Sequence, residues 1–241
     1  MNFTFEDLNI VFEDNHLLVV VKPQNIPSQA DSSEDVDMLT LLKEYLRNKY
    51  SKQGNIYLAL IHRLDRPTGG VMVFAKTSKA AERLSASMRA GEIEKKYLAV
   101  VNGRLPNRNG RLDNYLYKYA NLNIVKVVPP TTSGAKRAVL DYKVLAERDG
   151  EDSLVQIRLY TGRSHQIRVQ MSFIGNSLLG DSKYGTLKGR NPMPLALWAY
   201  ELRFPHPITK DSMVFRVYPD LSQEPWSRYD LDSILRITMN D

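Results

Sequence analysis

Residues 62–76 decide how this sequence is interpreted, and they read His-Arg-Leu-Asp-Arg-Pro-Thr-Gly-Gly-Val-Met-Val-Phe-Ala-Lys. The apolar run from Val71 to Ala75 is typical of a buried strand. The residues before it concentrate polar side chains of both charges, and the two glycines permit a tight turn or the close approach of a ligand. Loops at strand ends commonly carry catalytic groups. The stretch therefore predicts a buried strand preceded by a candidate functional loop.

Asp65 is the one carboxylate in this loop, and it lies between Arg63 and Arg66. Neighbouring cations favour the ionised form of a carboxyl group, which a nucleophile or a base requires. The alternative is an ion-pair cluster that only closes the connection between two strands. The residues of the loop leave both interpretations open.

Composition limits the class of protein. The chain has 241 residues, of which 43% are hydrophobic and 25% charged, as in an ordinary globular protein with a sizeable core. The formal net charge of +6 permits a polyanionic partner without requiring one. The absence of cysteine excludes disulfides, Cys-ligated zinc and a thiol nucleophile. The sequence shows neither a signal peptide nor an apolar run of membrane-spanning length, so we expect a cytoplasmic protein with no membrane partner.

Several common chemistries find no support in the motifs. The sequence contains no phosphate-binding Gly-x-x-x-x-Gly-Lys-Ser/Thr loop, no Gly-x-Gly-x-x-Gly and no Gly-x-Ser-x-Gly. Its four histidines are scattered, without the spacing of a metal site. We therefore expect neither a cofactor nor a metal.

The patterning predicts an α+β fold. About nine strands and three or four helices are expected, and they do not alternate as a doubly wound sheet requires. We therefore expect a mixed, largely antiparallel sheet with flanking helices. The predicted helices cover residues 36–50, 78–88, 164–174 and 226–237, and residues 31–33 are candidates to cap the first of them. Residues 117–138 are the hardest to assign and suggest an exposed hairpin or a mobile arm.

A second polar segment, residues 161–171, reads Thr-Gly-Arg-Ser-His-Gln-Ile-Arg-Val-Gln-Met. Ile167 and Met171 form an apolar helical stripe, which places Arg168 at the margin of buried surface, where it can pair with a carboxylate. Gly162 and Arg163 open the helix and can hold a phosphate there. The alternative is an arginine that reaches into solvent from an ordinary helix.

A third segment is the predicted strand at residues 94–101. Strand alternation puts Lys95, Tyr97 and Ala99 on one face. A tyrosine beside lysines suits stacking on a base next to a phosphate, although a tyrosine in a strand also commonly packs in a core.

These segments together resemble the RluA-type RNA pseudouridine synthases. Residues 62–76 resemble the family's signature, and the other matches occur in family order between about residues 9 and 217. They are Leu-Val-Val-Val-Lys-Pro at 18–23, Lys-Lys-Tyr at 95–97, Thr-Gly-Arg-Ser-His-Gln-Ile-Arg-Val at 161–169 and Leu-Gly-Asp-Ser-Lys-Tyr-Gly at 179–185. Two positions depart from the usual pattern, Gly69 where many members have serine and Gln170 where many have histidine.

The resemblance implies roles for four residues. Asp65 matches the family's catalytic aspartate, Arg63 an arginine thought to help extrude the target nucleotide, and Tyr97 the tyrosine that stacks on the uracil. Arg168 matches the arginine that pairs with the catalytic carboxylate. The fold implied is a mixed eight-stranded sheet with a central cleft, and the family uses no cofactor and no metal.

The function implied is isomerisation of uridine to pseudouridine in ribosomal RNA, transfer RNA or both. We expect the following residues to contact RNA: His62, Arg66, Lys95, Lys96, Lys136, Arg137, Arg163 and His165. The alternatives are a non-catalytic RNA-binding or chaperone module of the same fold, and a glycosylase that releases uracil. We expect residues 1–241 to form a single catalytic domain, clearest over 9–217, without an S4 domain, and to act as a monomer with no obligate protein partner.

Overall fold

The computed structural model describes residues 3–31, 33–185 and 193–239, and for 236–239 it describes the backbone alone. The chain divides into two compact units. The first unit contains Met1–Glu94 and Ala199–Val217, and the second contains Lys95–Trp198 and Tyr218–Asp241. The expectation of a single catalytic domain over residues 1–241 stays a prediction.

The described residues form eleven strands and four α-helices. The strands are β1 (Asn9–Glu13), β2 (Leu17–Lys22), β3 (Ala59–Leu60), β4 (Gly69–Ala75), β5 (Glu94–Asn102), β6 (Asn109–Tyr119), β7 (Ile124–Val128), β8 (Lys136–Arg148), β9 (Asp152–Leu159), β10 (Leu197–Pro205) and β11 (Ser212–Arg216). The helices are α1 (Met38–Lys49), α2 (Ser78–Ala90), α3 (Gln166–Phe173) and α4 (Leu231–Met239). None of the helices within the described residues is both long and apolar enough to cross a membrane.

The first unit is built around β2 and β4, two strands that are apolar on both faces. Its strand order is β1-β2-β4-β10, with β3 also paired to β4 and β11 to β10. The core includes Leu17, Val73 and Phe204, and α2 packs against it through Leu84. The side chain of Thr77 caps α2 by accepting a hydrogen bond from the backbone, which satisfies one of the amides that a helix start leaves without an internal partner. Every residue of β4 is buried, so the loop that leads into β4 is attached to a fully buried strand of this unit.

The second unit contains a sheet of order β5-β9-β8-β6-β7, in which every pairing is antiparallel. One face of this sheet is packed by α3, because Val169 of that helix joins Leu116, Val125 and Ala138 in a buried cluster. We call this the inner face. The opposite face of the same strands is the outer face.

The α+β fold and the largely antiparallel sheet are confirmed, with corrections in detail. The first helix begins at Met38 and is capped by Asp37, so residues 31–33 were the wrong caps. The predicted helix at 226–237 is interrupted, because Trp226–Arg228 form a 3-10 turn and α4 starts only at Leu231. The uncertain stretch at 117–138 belongs to the hairpin of β6 and β7 and to the start of β8.

The sequence patterns do not predict strand β6. Its inward positions are occupied by Gly110 and Leu112, and the glycine is required, because a Cβ there would lie 2.5 Å from the ring of Tyr142. A strand that uses glycine to admit a tyrosine from its neighbour has no apolar side chain at that position. Its alternating pattern is correspondingly weak.

Candidate active site

Asp65 lies in the loop between β3 and β4 and is half-buried. The loop turns immediately after it, since the amide of Thr68 donates a 2.9 Å hydrogen bond to the carbonyl oxygen of Asp65. The carboxylate is thus presented from a turn that ends where a fully buried strand begins. A group placed in this way has a well-defined position.

The main chain on both sides of Asp65 is held by side chains of residues 24–28. The hydroxyl of Ser28 donates to the carbonyl of Leu64 at 2.8 Å and accepts from the Leu64 amide at 3.2 Å. On the other side, the amide of Gln24 donates to the carbonyl of Pro67 at 2.8 Å. These bonds fix the backbone before and after Asp65 without using its carboxylate oxygens.

Lys22, at the end of β2, is completely buried and supports the same loop. Its Nζ donates to the carbonyl oxygens of Pro23, Ile26 and Arg66 at 2.8, 2.7 and 3.0 Å. Burial lowers the pKa of Lys22 to about 7, an effect opposed by the negative charge of Asp65 and reinforced by the positive charge of Arg66. Three donated bonds require the ammonium form, since a neutral amine has only two N–H groups. The structure therefore places a buried cation close enough to Asp65 to interact with its charge.

Gly70 fixes the strand that follows the loop. Its φ is +125°, and a Cβ at this position would lie 2.2 Å from the carbonyl oxygen of Ala199. Only glycine combines that backbone conformation with that approach. Gly70, the second of the two glycines noted in the sequence, therefore allows β4 to approach β10 closely within the first unit.

The other polar residues of the loop differ in their surroundings. Arg63 is exposed, and within the described part of the chain it makes no hydrogen bond or ion pair. Nε2 of His62 accepts a 3.3 Å hydrogen bond from the amide of Val73. Arg66 pairs with Asp35, and it donates to the carbonyl of Asn25 at 3.1 Å and to the hydroxyl of Ser33 at 3.0 Å. Their predicted contacts with RNA stay predictions.

In the second unit, Arg168 projects from α3 and is 4% exposed. It forms a two-pronged ion pair with Asp181, from Nε to Oδ2 at 2.8 Å and from Nη2 to Oδ1 at 2.7 Å. The amides of Lys183 and Tyr184 also donate to Asp181, at 2.9 and 3.0 Å. Burial raises the pKa of the Asp181 carboxyl, but the interactions with Arg168 and the two amides outweigh it and leave the pKa below its usual value.

Tyr184 links this ion pair to its surroundings. Its ring centroid lies 5.2 Å from the guanidinium carbon of Arg168, and its hydroxyl is hydrogen-bonded to Nδ1 of His165 at 2.6 Å. The same hydroxyl accepts from the amide of Val125 at 2.9 Å. The motif at 179–185 therefore orients Arg168 and His165. In the sequence analysis this motif only supported the family resemblance, and none of its residues was given a role.

Tyr97 is a buried residue of β5, and the strand register places it on the inner face. It lies opposite Ile157, which lies opposite Tyr142, and Tyr142 shares its face with Ala138 under α3. The sheet of the second unit therefore carries Tyr97 on the face that α3, with Arg168, covers.

The two lysines beside Tyr97 are separated by the same register. Lys95 shares the inner face with Tyr97, as expected from alternation, and burial lowers its pKa. Lys96 lies on the outer face, opposite Arg158. A role for Lys96 next to Tyr97 is therefore not compatible with the strand geometry, although contact with RNA on the other face is.

The remaining predicted RNA contacts, Lys136, Arg137 and Arg163, are exposed. Nε of Arg137 donates to Asp113 at 2.9 Å, and Nε of Arg163 donates to the carbonyl of Arg137 at 3.0 Å. The amide of Arg163, which was expected to hold a phosphate, donates instead to Oε1 of Gln166 at 3.1 Å. The helix start thus satisfies this amide internally.

Sequence reasoning missed the residues that hold the candidates in place. Lys22 and Asp181 lie in motifs that match the family. Their supporting roles depend on their being both charged and buried, and burial cannot be read from the sequence. Ser28 lies in no motif. Among the described residues, no group of three or more His, Asp or Glu side chains is arranged to hold a metal ion.

Comparison with protein families gives one match over most of the chain. The family model described as RNA pseudouridylate synthase matches residues 16–173. The ribosomal large subunit pseudouridine synthase D of Zymomonas mobilis is 37% identical over 218 residues, covering 86% of this chain and 68% of that protein. The uncharacterized RNA pseudouridine synthase YjbO of Bacillus subtilis is 34% identical, covering 86% of this chain and 71% of that protein.

Two solved human structures share the fold. Human RNA pseudouridylate synthase domain containing 4 aligns with a TM-score of 0.75 at 22% identity, covering 94% of this chain and 93% of that one. Human RNA pseudouridylate synthase domain containing 1 aligns with a TM-score of 0.75 at 21% identity, covering 100% of this chain and 98% of that one.

Proposed function

The chain belongs to the RNA pseudouridylate synthase family, and from that premise we propose that Asp65 is the carboxylate on which its reaction depends. The chain is an RNA pseudouridine synthase, an isomerase that converts uridine in RNA to pseudouridine. One observation carries the proposal for Asp65: the side chains of Gln24 and Ser28 hold the main chain on both sides of it, so the carboxylate is presented from a fixed loop. The non-catalytic alternative receives no support from the described residues or from the relatives.

The reaction breaks the bond between N1 of uracil and C1′ of ribose, turns the base, and joins C5 to C1′. The proton on C5 leaves to solvent and N1 takes up a proton, so the product is an isomer of the substrate. Breaking the first bond builds positive charge on the sugar, as in glycoside hydrolysis. An ionised carboxylate can either attack C1′ or remove a proton from the sugar, and Asp65 serves in either route.

Three further residues complete the proposed site. Arg168 serves as the counter-ion of the catalytic carboxylate, the role that the family resemblance implies, and the ion pair with Asp181 holds its guanidinium in a fixed orientation. Tyr97 stacks on the uracil. Arg63, an exposed cation of the loop, occupies the space that the flipped nucleotide leaves.

We propose ribosomal RNA as the substrate, with transfer RNA as the competing candidate. The support comes from two relatives at 34 to 37% identity, the ribosomal large subunit pseudouridine synthases D of Zymomonas mobilis and Vibrio parahaemolyticus. We also propose that the enzyme acts in the cytoplasm, as a monomer and without a cofactor. The absence of cysteine from all 241 residues suits a reducing compartment.

The substrate proposal is tested with unmodified transcripts that carry tritium at C5 of uridine. We expect the enzyme to release tritium from a large-subunit ribosomal RNA transcript and not from a pool of transfer RNA transcripts. Release from transfer RNA alone would overturn the choice of substrate. Pseudouridine mapping in cells that lack the gene then identifies the position, as a site that loses its modification.

A further inference from the structure

The outer face of the second unit carries a groove of about 550 Å³ with a row of charged side chains across four strands. Lys96 of β5 lies opposite Arg158 of β9, Arg158 opposite Asp141 of β8, and Asp141 opposite Arg111 of β6. Directly opposed residues of antiparallel strands share a face. The row therefore runs across the sheet on the side away from α3 and Tyr97.

The groove is strongly positive for its size. Four cationic side chains line it, from Lys96, Arg111, Lys143 and Arg158, and Asp141 is the one acid in the lining, so its formal charge is 4 − 1 = +3. The entire chain carries +6. A surface that concentrates positive charge in this way attracts polyanions.

Tyr160 organises the arginines of the groove. The residue is 46% exposed, and the guanidinium carbons of Arg111 and Arg158 lie 4.9 and 5.1 Å from the centroid of its ring. Its hydroxyl donates to Oδ2 of Asp141 at 2.8 Å, and Arg111 donates to both oxygens of Asp141 at 2.6 and 2.9 Å. Exposed ion pairs of this kind add little to stability. The effect of the pair with Asp141 is to hold the guanidinium plane of Arg111 in place, which reduces the entropy lost when a ligand binds.

We propose that this groove binds the sugar-phosphate backbone of the RNA substrate, away from the nucleotide that reacts. The proposal rests on RNA modification as the function of the chain. Arginine and lysine pair with phosphate oxygens, and an exposed tyrosine flanked by guanidinium groups provides a surface on which a base can stack. An acidic protein would match the charge, but it would make no use of the stacking surface.

The proposal is tested by neutralising two exposed cations of the groove together, Lys143→Gln and Arg158→Gln. The probe is an unmodified large-subunit ribosomal RNA transcript, and its affinity is measured between about 50 and 200 mM salt. We expect affinity to fall about tenfold, and the slope of log affinity against log salt to become shallower by about 1.5, because two phosphate contacts are lost. The unfolding midpoint of each variant confirms that it is folded.

The matched control neutralises two exposed cations of α2 in the first unit, Lys79→Gln and Arg89→Gln, with the same change in net charge. We expect its affinity and salt slope to stay at the wild-type values. The charge-conserving pair Lys143→Arg and Arg158→Lys should retain most of the affinity. Equal behaviour of the groove variant and the α2 control would overturn the proposal, and this is also the result expected if the groove binds an acidic protein.

Activity measured on the same transcript separates this proposal from the choice of substrate. A wild-type enzyme that binds the transcript through the groove but forms no pseudouridine in it would refute ribosomal RNA as the substrate and leave the groove supported. An active wild-type enzyme whose groove variant binds as the control does would refute the groove alone.

Discussion

The two units hold their candidate catalytic groups in different ways. In the first unit, the loop of Asp65 is fixed through its main chain, by the side chains of Lys22, Gln24 and Ser28. In the second unit, Arg168 is fixed through its own guanidinium, by the two-pronged pair with Asp181. The first arrangement works from the backbone and the second from the functional group itself.

The chemistry of the two groups explains the difference. The bonds that Lys22, Gln24 and Ser28 donate to the Asp65 loop go to its main chain, so these bonds themselves occupy neither carboxylate oxygen. A guanidinium has five N–H groups, so two can bind a structural acid while others serve a second purpose. Removal of Asp181 is therefore expected to leave the buried charge of Arg168 without its ion-pair partner. Removal of Lys22, Gln24 or Ser28 is expected mainly to displace the loop that carries Asp65.

The largest effect on stability is expected from Asp181→Ala, because it leaves the buried guanidinium of Arg168 without its ion-pair partner. Loss of one partner of a buried pair costs about 3–5 kcal/mol of unfolding free energy. The matched control is Asp113→Ala, which breaks the exposed pair with Arg137 and should cost less than about 1 kcal/mol. Urea unfolding measures both, and equal losses would contradict the account of the second unit.

Lys22→Met is expected to have the next largest effect. Methionine fills a similar volume but donates no hydrogen bond, so the three carbonyls lose the ammonium, at a cost of about 3 kcal/mol. We also expect kcat to fall, because the loop of Asp65 loses a support. Lys79→Met, at an exposed position of α2, is the control and should change neither quantity. A Lys22→Met enzyme with wild-type stability would show that the buried lysine does not support the loop.

Glu13 of the first unit is a carboxylate held by charged and polar side chains, and it can be compared with Asp181 of the second unit. Glu13 accepts hydrogen bonds from Lys49, Lys76, Tyr45 and Tyr50. Burial alone would raise its pKa, but these bonds outweigh burial and lower the pKa from 4.5 to about 2. The lowered pKa means that the stabilisation is present above pH 4.5 and is lost as the pH falls toward 2.

Glu13→Gln tests whether the ionised carboxylate of Glu13 is the source of this pH-dependent stabilisation. We expect the variant to lose on the order of 2 kcal/mol of unfolding free energy at neutral pH, with the difference from wild type shrinking as the pH falls below about 4.5. Unfolding free energies measured across that range give the result. A difference that is independent of pH would show that the ionised carboxylate is not the source of the stabilisation.

Ser28→Ala is expected to have the smallest effect on stability, about 1 kcal/mol, because it removes one neutral hydroxyl from the buried backbone of Leu64. Its effect on kcat should be larger than this loss suggests, since the hydroxyl fixes the residue next to Asp65. Ser78→Ala, at an exposed position of α2, serves as the control. If kcat of Ser28→Ala equals that of Ser78→Ala, the main chain of the loop is not what positions Asp65.

The sequence predicted those parts of the fold and site that depend on local patterns. The apolar run of β4 and the alternation that puts Lys95 and Tyr97 on one face both follow from periods of two along a strand. The family was recognisable because its motifs occur in order along the chain. Those features required no knowledge of which distant segments meet.

The parts that could not be predicted depend on long-range pairing. The hydroxyl of Ser28 forms a hydrogen bond with the main chain of Leu64, 36 residues further along the sequence. Arg168 pairs with Asp181, 13 residues further along, and no helix or strand periodicity predicts this contact. Strand β6 was missed because Gly110 admits Tyr142 where an apolar side chain would otherwise mark the pattern. The burial of Lys22 is likewise a property of the fold, since charged side chains are usually exposed.

The most direct test of the central claim compares wild type with Asp65→Asn on ribosomal RNA that carries tritium at C5 of uridine. Asparagine keeps the size of the side chain and leaves every backbone hydrogen bond of the loop available, so the change isolates the charge. We predict that wild type releases tritium while the RNA chain stays intact and free of abasic sites, and that Asp65→Asn lowers the rate at least about 10³-fold. Tritium release by Asp65→Asn at a rate close to wild type would contradict the assignment of Asp65 as the catalytic carboxylate.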